Sequence, residues 1–92
     1  MMTAEQARIA TKERITVIAK EFILNKVGPA IQEAIDGGHF FATVCFEGVP
    51  NPEETGAEVL KLLEVDGYRA KHVYCNTISY ENYISLDWED NE

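Results

Sequence analysis

From residue 15 the apolar positions fall at Ile15, Ile18, Ala19, Phe22 and Ile23, the spacing that lays a single stripe along a helix. Thr3 with Gln6 three residues on forms a capping-box pattern, and Glu5 suits the positive end of a helix dipole, so the helix is expected to begin near residue 3. The turns before Ile15 offer only Ala4, Ala7, Ile9 and Ala10 to a core and are expected to overhang whatever the later turns pack upon. Gly28-Pro29 interrupts this pattern, because proline lacks an N–H and its ring meets the carbonyl of Asn25. Two outcomes stay open: a break followed by a short helix over 30–35 with Pro29 at its start, or one kinked helix running to residue 36. Gly37-Gly38 stops either one.

Residues 40–46, Phe-Phe-Ala-Thr-Val-Cys-Phe, are almost continuously apolar or β-favouring, which predicts a strand covered on both faces and placed at the centre of a sheet. After Gly48-Val49-Pro50, the run Asn51-Pro52-Glu53-Glu54 reads as a helix entrance, with Asn51 at the N-cap, Pro52 in the first position and two carboxylates in the first turn. Val59, Leu60, Leu62 and Leu63 supply that helix's buried face, Glu58 and Lys61 are spaced to pair, Gly56 weakens the helix slightly, and Gly67 suits its C-terminal turn. Beyond Gly67 the period shifts toward two. Residues 68–75 alternate imperfectly and 83–88 alternate well, with Ile84, Leu86 and Trp88 on one face, which predicts a hairpin connected somewhere in 76–82. The first two strands have room for a right-handed crossover and would then run parallel, with the third antiparallel to the second.

These elements predict an α+β or α/β domain in which a three-stranded mixed sheet packs on helices. With 92 residues and 46% apolar content the chain is expected to form one domain, 1–92, made of a helical region 3–36, a strand-helix-hairpin region 39–88 and an acidic tail 89–92. Nothing in it approaches the ~20 apolar residues of a membrane span. The start reads as a charged helix rather than a signal peptide, so a cytoplasmic protein without membrane contact is expected. Cys45 and Cys75 are too few for a disulfide framework and lie in strand-like runs, where cysteine acts as a small apolar residue.

Charge changes the picture more. Residues 1–46 carry five basic groups against five acidic ones, whereas residues 47–92 carry three against eleven, so the whole net charge of −8 lies in the second half. Such a half repels phosphate backbones and anionic lipid, and favours a protein partner with a basic surface over direct nucleic-acid binding.

No catalytic constellation emerges. His39, Cys45, His72 and Cys75 are zinc-ligand types, but His72 and Cys75 stand three apart on an extended segment and so point to opposite faces, while His39 and Cys45 are roughly 20 Å apart if extended. The same opposition separates Cys75 from His72 as nucleophile and base, and Ser79 and Ser85 lack a glycine elbow. Glu53 with Glu54 is explained by the helix entrance and Glu89 with Asp90 by the tail. No glycine-rich phosphate loop opens a helix. The expectation is a protein without enzymatic activity, cofactor or metal.

Aromatic residues concentrate in the hairpin region, where Tyr68, Tyr74, Tyr80, Tyr83 and Trp88 make five of the nine. Tyrosine and tryptophan bury large areas at low entropic cost and are enriched at interfaces. Trp88, in phase with Ile84 and Leu86, is expected in the core, and Tyr83, out of phase, on the surface. The candidate interaction patch is therefore Tyr80, Tyr83, Asp87, Trp88, Glu89 and Asp90, and the candidate oligomer contact is the helix stripe Ala7, Ile15, Ile18 and Phe22.

The segments Ile31-Gln32-Glu33-Ala34-Ile35-Asp36-Gly37, Leu63-Glu64-Val65-Asp66-Gly67-Tyr68 and Tyr83-Ile84-Ser85-Leu86-Asp87-Trp88 resemble those of small accessory or structural proteins of tailed bacteriophages. The resemblance implies an accessory protein acting in the host cytoplasm and carries over no functional residue. The function expected is a small acidic interaction module, homo-oligomeric through its first helix, that binds and modulates another macromolecule. Imitation of nucleic acid to inhibit a host DNA-binding or defence protein, and binding of a small nucleotide-like ligand, are the alternatives.

Overall fold

Residues 4–36 run as one kinked helical rod. The computed structural model describes residues 1–46, 48–75 and 81–89, with the backbone alone at 74, 75 and 81. Helix α1 (Ala4–Phe22) opens with the capping box: the Thr3 hydroxyl accepts from the Gln6 N–H at 3.1 Å, and the Gln6 side chain accepts from the Thr3 N–H at 3.0 Å. It passes through a π-helical turn (Ile23–Val27) directly into α2 (Gly28–Asp36). The Gly28 N–H reaches back five residues to the Ile23 carbonyl. Widening the turn in this way absorbs the missing donor and the ring of Pro29 without ending the helix. The kinked alternative holds and the break does not.

Both glycine stops work as C-terminal caps. Gly38 and Gly67 take φ of 76° and 93°, conformations that cost a side-chain-bearing residue strain. The following N–H groups of His39 and Tyr68 return to the carbonyls of Ala34 and Leu63 at 2.8 and 3.1 Å. Helix α3 (Pro52–Val65) begins where the sequence places it, by a different device. Asn51 is itself left-handed, with φ of 46°, and its side chain makes no cap. Asparagine is one of the few residues that tolerates that region. The Thr55 hydroxyl, fully buried, ties the corner instead by donating to the Pro50 carbonyl at 2.8 Å.

Strands β1 (Phe41–Cys45), β2 (Arg69–Cys75) and β3 (Glu81–Asp87) form a sheet in the order β1-β3-β2, with both neighbouring pairs antiparallel. The α+β class stands, but the sheet is antiparallel rather than mixed. β1 and β2 do point the same way, yet β3 inserts between them, so no parallel pair forms. β1 is accordingly an edge strand and not the central one, and it alternates exposed and buried residues instead of burying both faces. The run of β-favouring residues that suggested two-sided cover came from its exposed members, Phe41, Thr43 and Cys45.

All the helices lie on the other face. There Ala42, Val44 and Phe46 join Ile84 and Leu86 of β3 and Val59 and Leu63 of α3 in the buried core. Phe46 is fully buried and meets the Phe22 ring of α1 edge to face, with centroids 4.8 Å apart. Burial of a side chain this size stabilises by roughly 1.5–3 kcal/mol. Glu58 does not pair with Lys61; its carboxylate accepts from the Thr16 hydroxyl of α1 at 3.5 Å, because α1 lies across that side of α3. Ile15 is the first buried residue of α1, and 1–14 are all exposed, so the early turns overhang as their sparse apolar content predicts.

Candidate interaction surface

Alternation along three paired strands assigns the sheet's outer face residue by residue. The register sets Phe41, Asp87 and Arg69 in one row, Thr43, Ser85 and Lys71 in the next, and Cys45, Tyr83 and Val73 in the third. Phe41, Thr43, Cys45, Arg69 and Lys71 are exposed, and the four others half-buried, in contrast to the buried Ala42, Val44, Ile84 and Leu86 between them. The face thus ends in a charged row on one side and an apolar row on the other.

Within the charged row Arg69 donates through Nε to the Asp87 carboxylate at 2.7 Å and through a terminal nitrogen to the Glu89 carbonyl at 2.6 Å. Both charged side chains remain roughly half exposed, so this pair contributes at most about 1 kcal/mol. Its larger effect is on sign: Asp87 is neutralised in place, leaving Lys71 as the unpaired charge among the described outer-face side chains.

The sequence-derived patch therefore divides. Tyr83 and Asp87 share the outer face, whereas Trp88 belongs to the core side, where it meets Tyr68 edge to face at 5.9 Å. Glu89 is exposed, and Tyr80 and Asp90 lie outside the described residues. The oligomer stripe divides too. Ile15 is buried, Ile18 and Phe22 are half-buried, and Ala7 alone stands fully in the overhang. Phe22 is occupied by Phe46 of its own chain.

A cluster that sequence reasoning passed over sits under the other side of the sheet. His72 faces inward from β2 opposite Ile84, with its Nε2 2.6 Å from the Asn82 Oδ1 and its ring 4.9 Å from that of Phe46, edge to face. A Cβ on Gly56 of α3 would come within 2.6 Å of its Nδ1. The imidazole thus fills the place a side chain at 56 would take. A glycine inside an otherwise good helix was the available signal. His72 wedges helix against sheet. Among the described residues no three histidine, cysteine or carboxylate side chains gather as a metal site would require. His39 is exposed, with its ring 5.5 Å from that of Phe41 on the same strand approach. Nor is any described helix long and apolar enough to cross a membrane.

No protein-family model matches the chain, and neither the curated proteins nor the solved structures contain a match to it.

Replacing glycine by alanine inside a helix ordinarily stabilises by up to about 1 kcal/mol. Gly56→Ala is expected to do the reverse, because His72 is hemmed in by Phe46 and Asn82. Denaturant unfolding should show a loss of about 1–3 kcal/mol, in the range of overpacked cores, and the loss should shrink in a G56A/H72A double variant. A stabilised G56A would contradict the packing.

Proposed function

We propose that this chain is a non-enzymatic interaction module, of the kind found among accessory proteins of tailed phages, that binds and modulates another protein in the host cytoplasm. The observation that carries the reading is the outer face of the sheet, which no described element covers. The described helices lie on one face, and the other presents Phe41, Tyr83 and Val73 among Thr43, Ser85 and Lys71. Aromatic and aliphatic side chains set beside polar ones are the usual composition of a protein-binding surface. Imitation of nucleic acid has less support at this face, since among its described side chains Arg69 and Lys71 outnumber Asp87.

A Tyr83→Ser/Val73→Ser variant tests the reading, because both side chains leave the core untouched. Wild-type protein immobilised against host lysate should retain a defined partner, and the variant should retain at least about tenfold less, as loss of a central aromatic contact implies, with an unchanged thermal midpoint. Equal retention by the variant, or no partner for the wild type, contradicts it.

A second reading concerns the overhang. The exposed turns 4–14 include Ala7 and Ile9, the latter 52% exposed, and they favour association of two copies through α1. Sedimentation should then give a species above the 10.4 kDa monomer for the wild type and the monomer for Ile9→Glu. A wild type that sediments as a monomer at every concentration rules this out.

A further inference from the structure

Among the described strands, β1 pairs on one side only. Its neighbour β3 receives the Phe40 carbonyl through the Trp88 N–H at 3.0 Å and gives the Asn82 carbonyl to the Phe46 N–H at 2.9 Å. In an antiparallel ladder the residues bonding across a given side alternate, so the even positions 40, 42, 44 and 46 face β3. The N–H and C=O groups of Phe41, Thr43 and Cys45 therefore point away from β3, toward an edge that no described strand occupies. Natural sheets blunt such edges with charges, proline or a bulge. Phe41-Ala42-Thr43-Val44-Cys45 has none of these.

Beside this edge runs a groove of about 610 Å³ between α2 and β1. The helix turns small residues toward it, Ala30, Ala34 and Gly37, opposite Ala42 of the strand, and so leaves it open. Glu33 is the one carboxylate on its wall. Helix α2 carries Glu33 and Asp36 and no basic residue. A second copy of the chain paired edge to edge through β1 would bring two such helices side by side, acid against acid, in a molecule already at −8. A basic segment meets no such repulsion.

We propose that the β1 edge binds an extended peptide segment of another protein as a fourth strand, with small apolar side chains and one lysine or arginine entering the groove beside Glu33. In the antiparallel register that already joins the other strands, alternate peptide residues bond to Phe41, Thr43 and Cys45 and project their side chains to the outer face. The intervening residues project into the groove, opposite Ala42 and Val44. Main-chain bonds supply the attachment and the groove supplies selectivity, the division of labour of strand addition. This assignment rests on the reading of the chain as a protein-binding module and specifies how the partner is held.

Selection of random heptapeptides displayed on a carrier against the intact protein tests it. The expected result is enrichment of sequences alternating small apolar residues with one lysine or arginine at a fixed position. The enriched peptide should slow amide exchange at Phe41, Thr43 and Cys45 by about tenfold or more, since each becomes a ladder bond. N-methylation of its strand-bonding residues should weaken binding by about tenfold, the cost of an unmade main-chain bond, and methylation of the intervening residues should not. Glu33→Gln should weaken it several-fold in low salt and little in high salt. Failure to enrich, enrichment of acidic peptides, protection elsewhere, or indifference to the methylation pattern overturns the proposal. So does protection of the three amides that rises with protein concentration in the absence of peptide, which would give the edge to a second copy. Loss of partner binding in the Tyr83→Ser/Val73→Ser variant would survive any of these results, so the edge can fail while the module stands.

Discussion

The described residues lay one layer of helix on the sheet, and the inward rows of β1 and β3 decide where it goes. Ala42, Val44 and Phe46 beside Ile84 and Leu86 make the apolar ground on which α1, α2 and α3 settle. Phe46 is the pivot. It is fully buried, it receives Phe22 from α1 on one edge and His72 from β2 on another, and it stands at the end of the edge strand that α2 flanks. With the apolar stripes of the helices used on that face, nothing described remains to cover the other. A small domain buries a smaller fraction of its surface than a large one, and here what is left exposed includes one sheet face, one strand edge and the first turns of α1.

The sequence disclosed the ends of the elements better than their arrangement. Thr3 with Gln6, Pro52 and Gly67 each mark a boundary because capping chemistry is local and a few neighbouring residues decide it. Strand order is different. Whether β3 lies outside β2 or between β2 and β1 depends on which edge of β3 finds a partner across the chain, and the alternation of Ile84 and Leu86 is the same in both cases. The apolar run at 40–46 was misleading for a related reason: its outward members are large and uncharged although they are not covered. Pro29 left two outcomes because a widened turn and a break satisfy its missing donor equally well. The sequence offers His72 only as a ligand or base that its strand geometry rejects, because its packing partners, Gly56, Phe46 and Asn82, are brought together only by the fold.

Among the described residues, most acidic groups of the second half lie away from the candidate surface. Glu53 and Glu54 stand at the N-terminal turn of α3, where they complement its dipole, and Asp87 is held by Arg69. The outer face is mixed in sign and partly aromatic, and β1 bears no charge at all. In the proposed binding module, acidity would set which partners approach and the sheet would supply the contact, the two effects meeting at the groove wall beside Glu33.

Among the described strands β1 is an edge whose odd-numbered amides face away from β3, and residue-resolved hydrogen exchange of the free protein reads this position by position. Exchange should be fast at Phe41, Thr43 and Cys45, alternating with protection of about tenfold or more at Ala42 and Val44. Uniform protection along 41–45 in the free chain would contradict it.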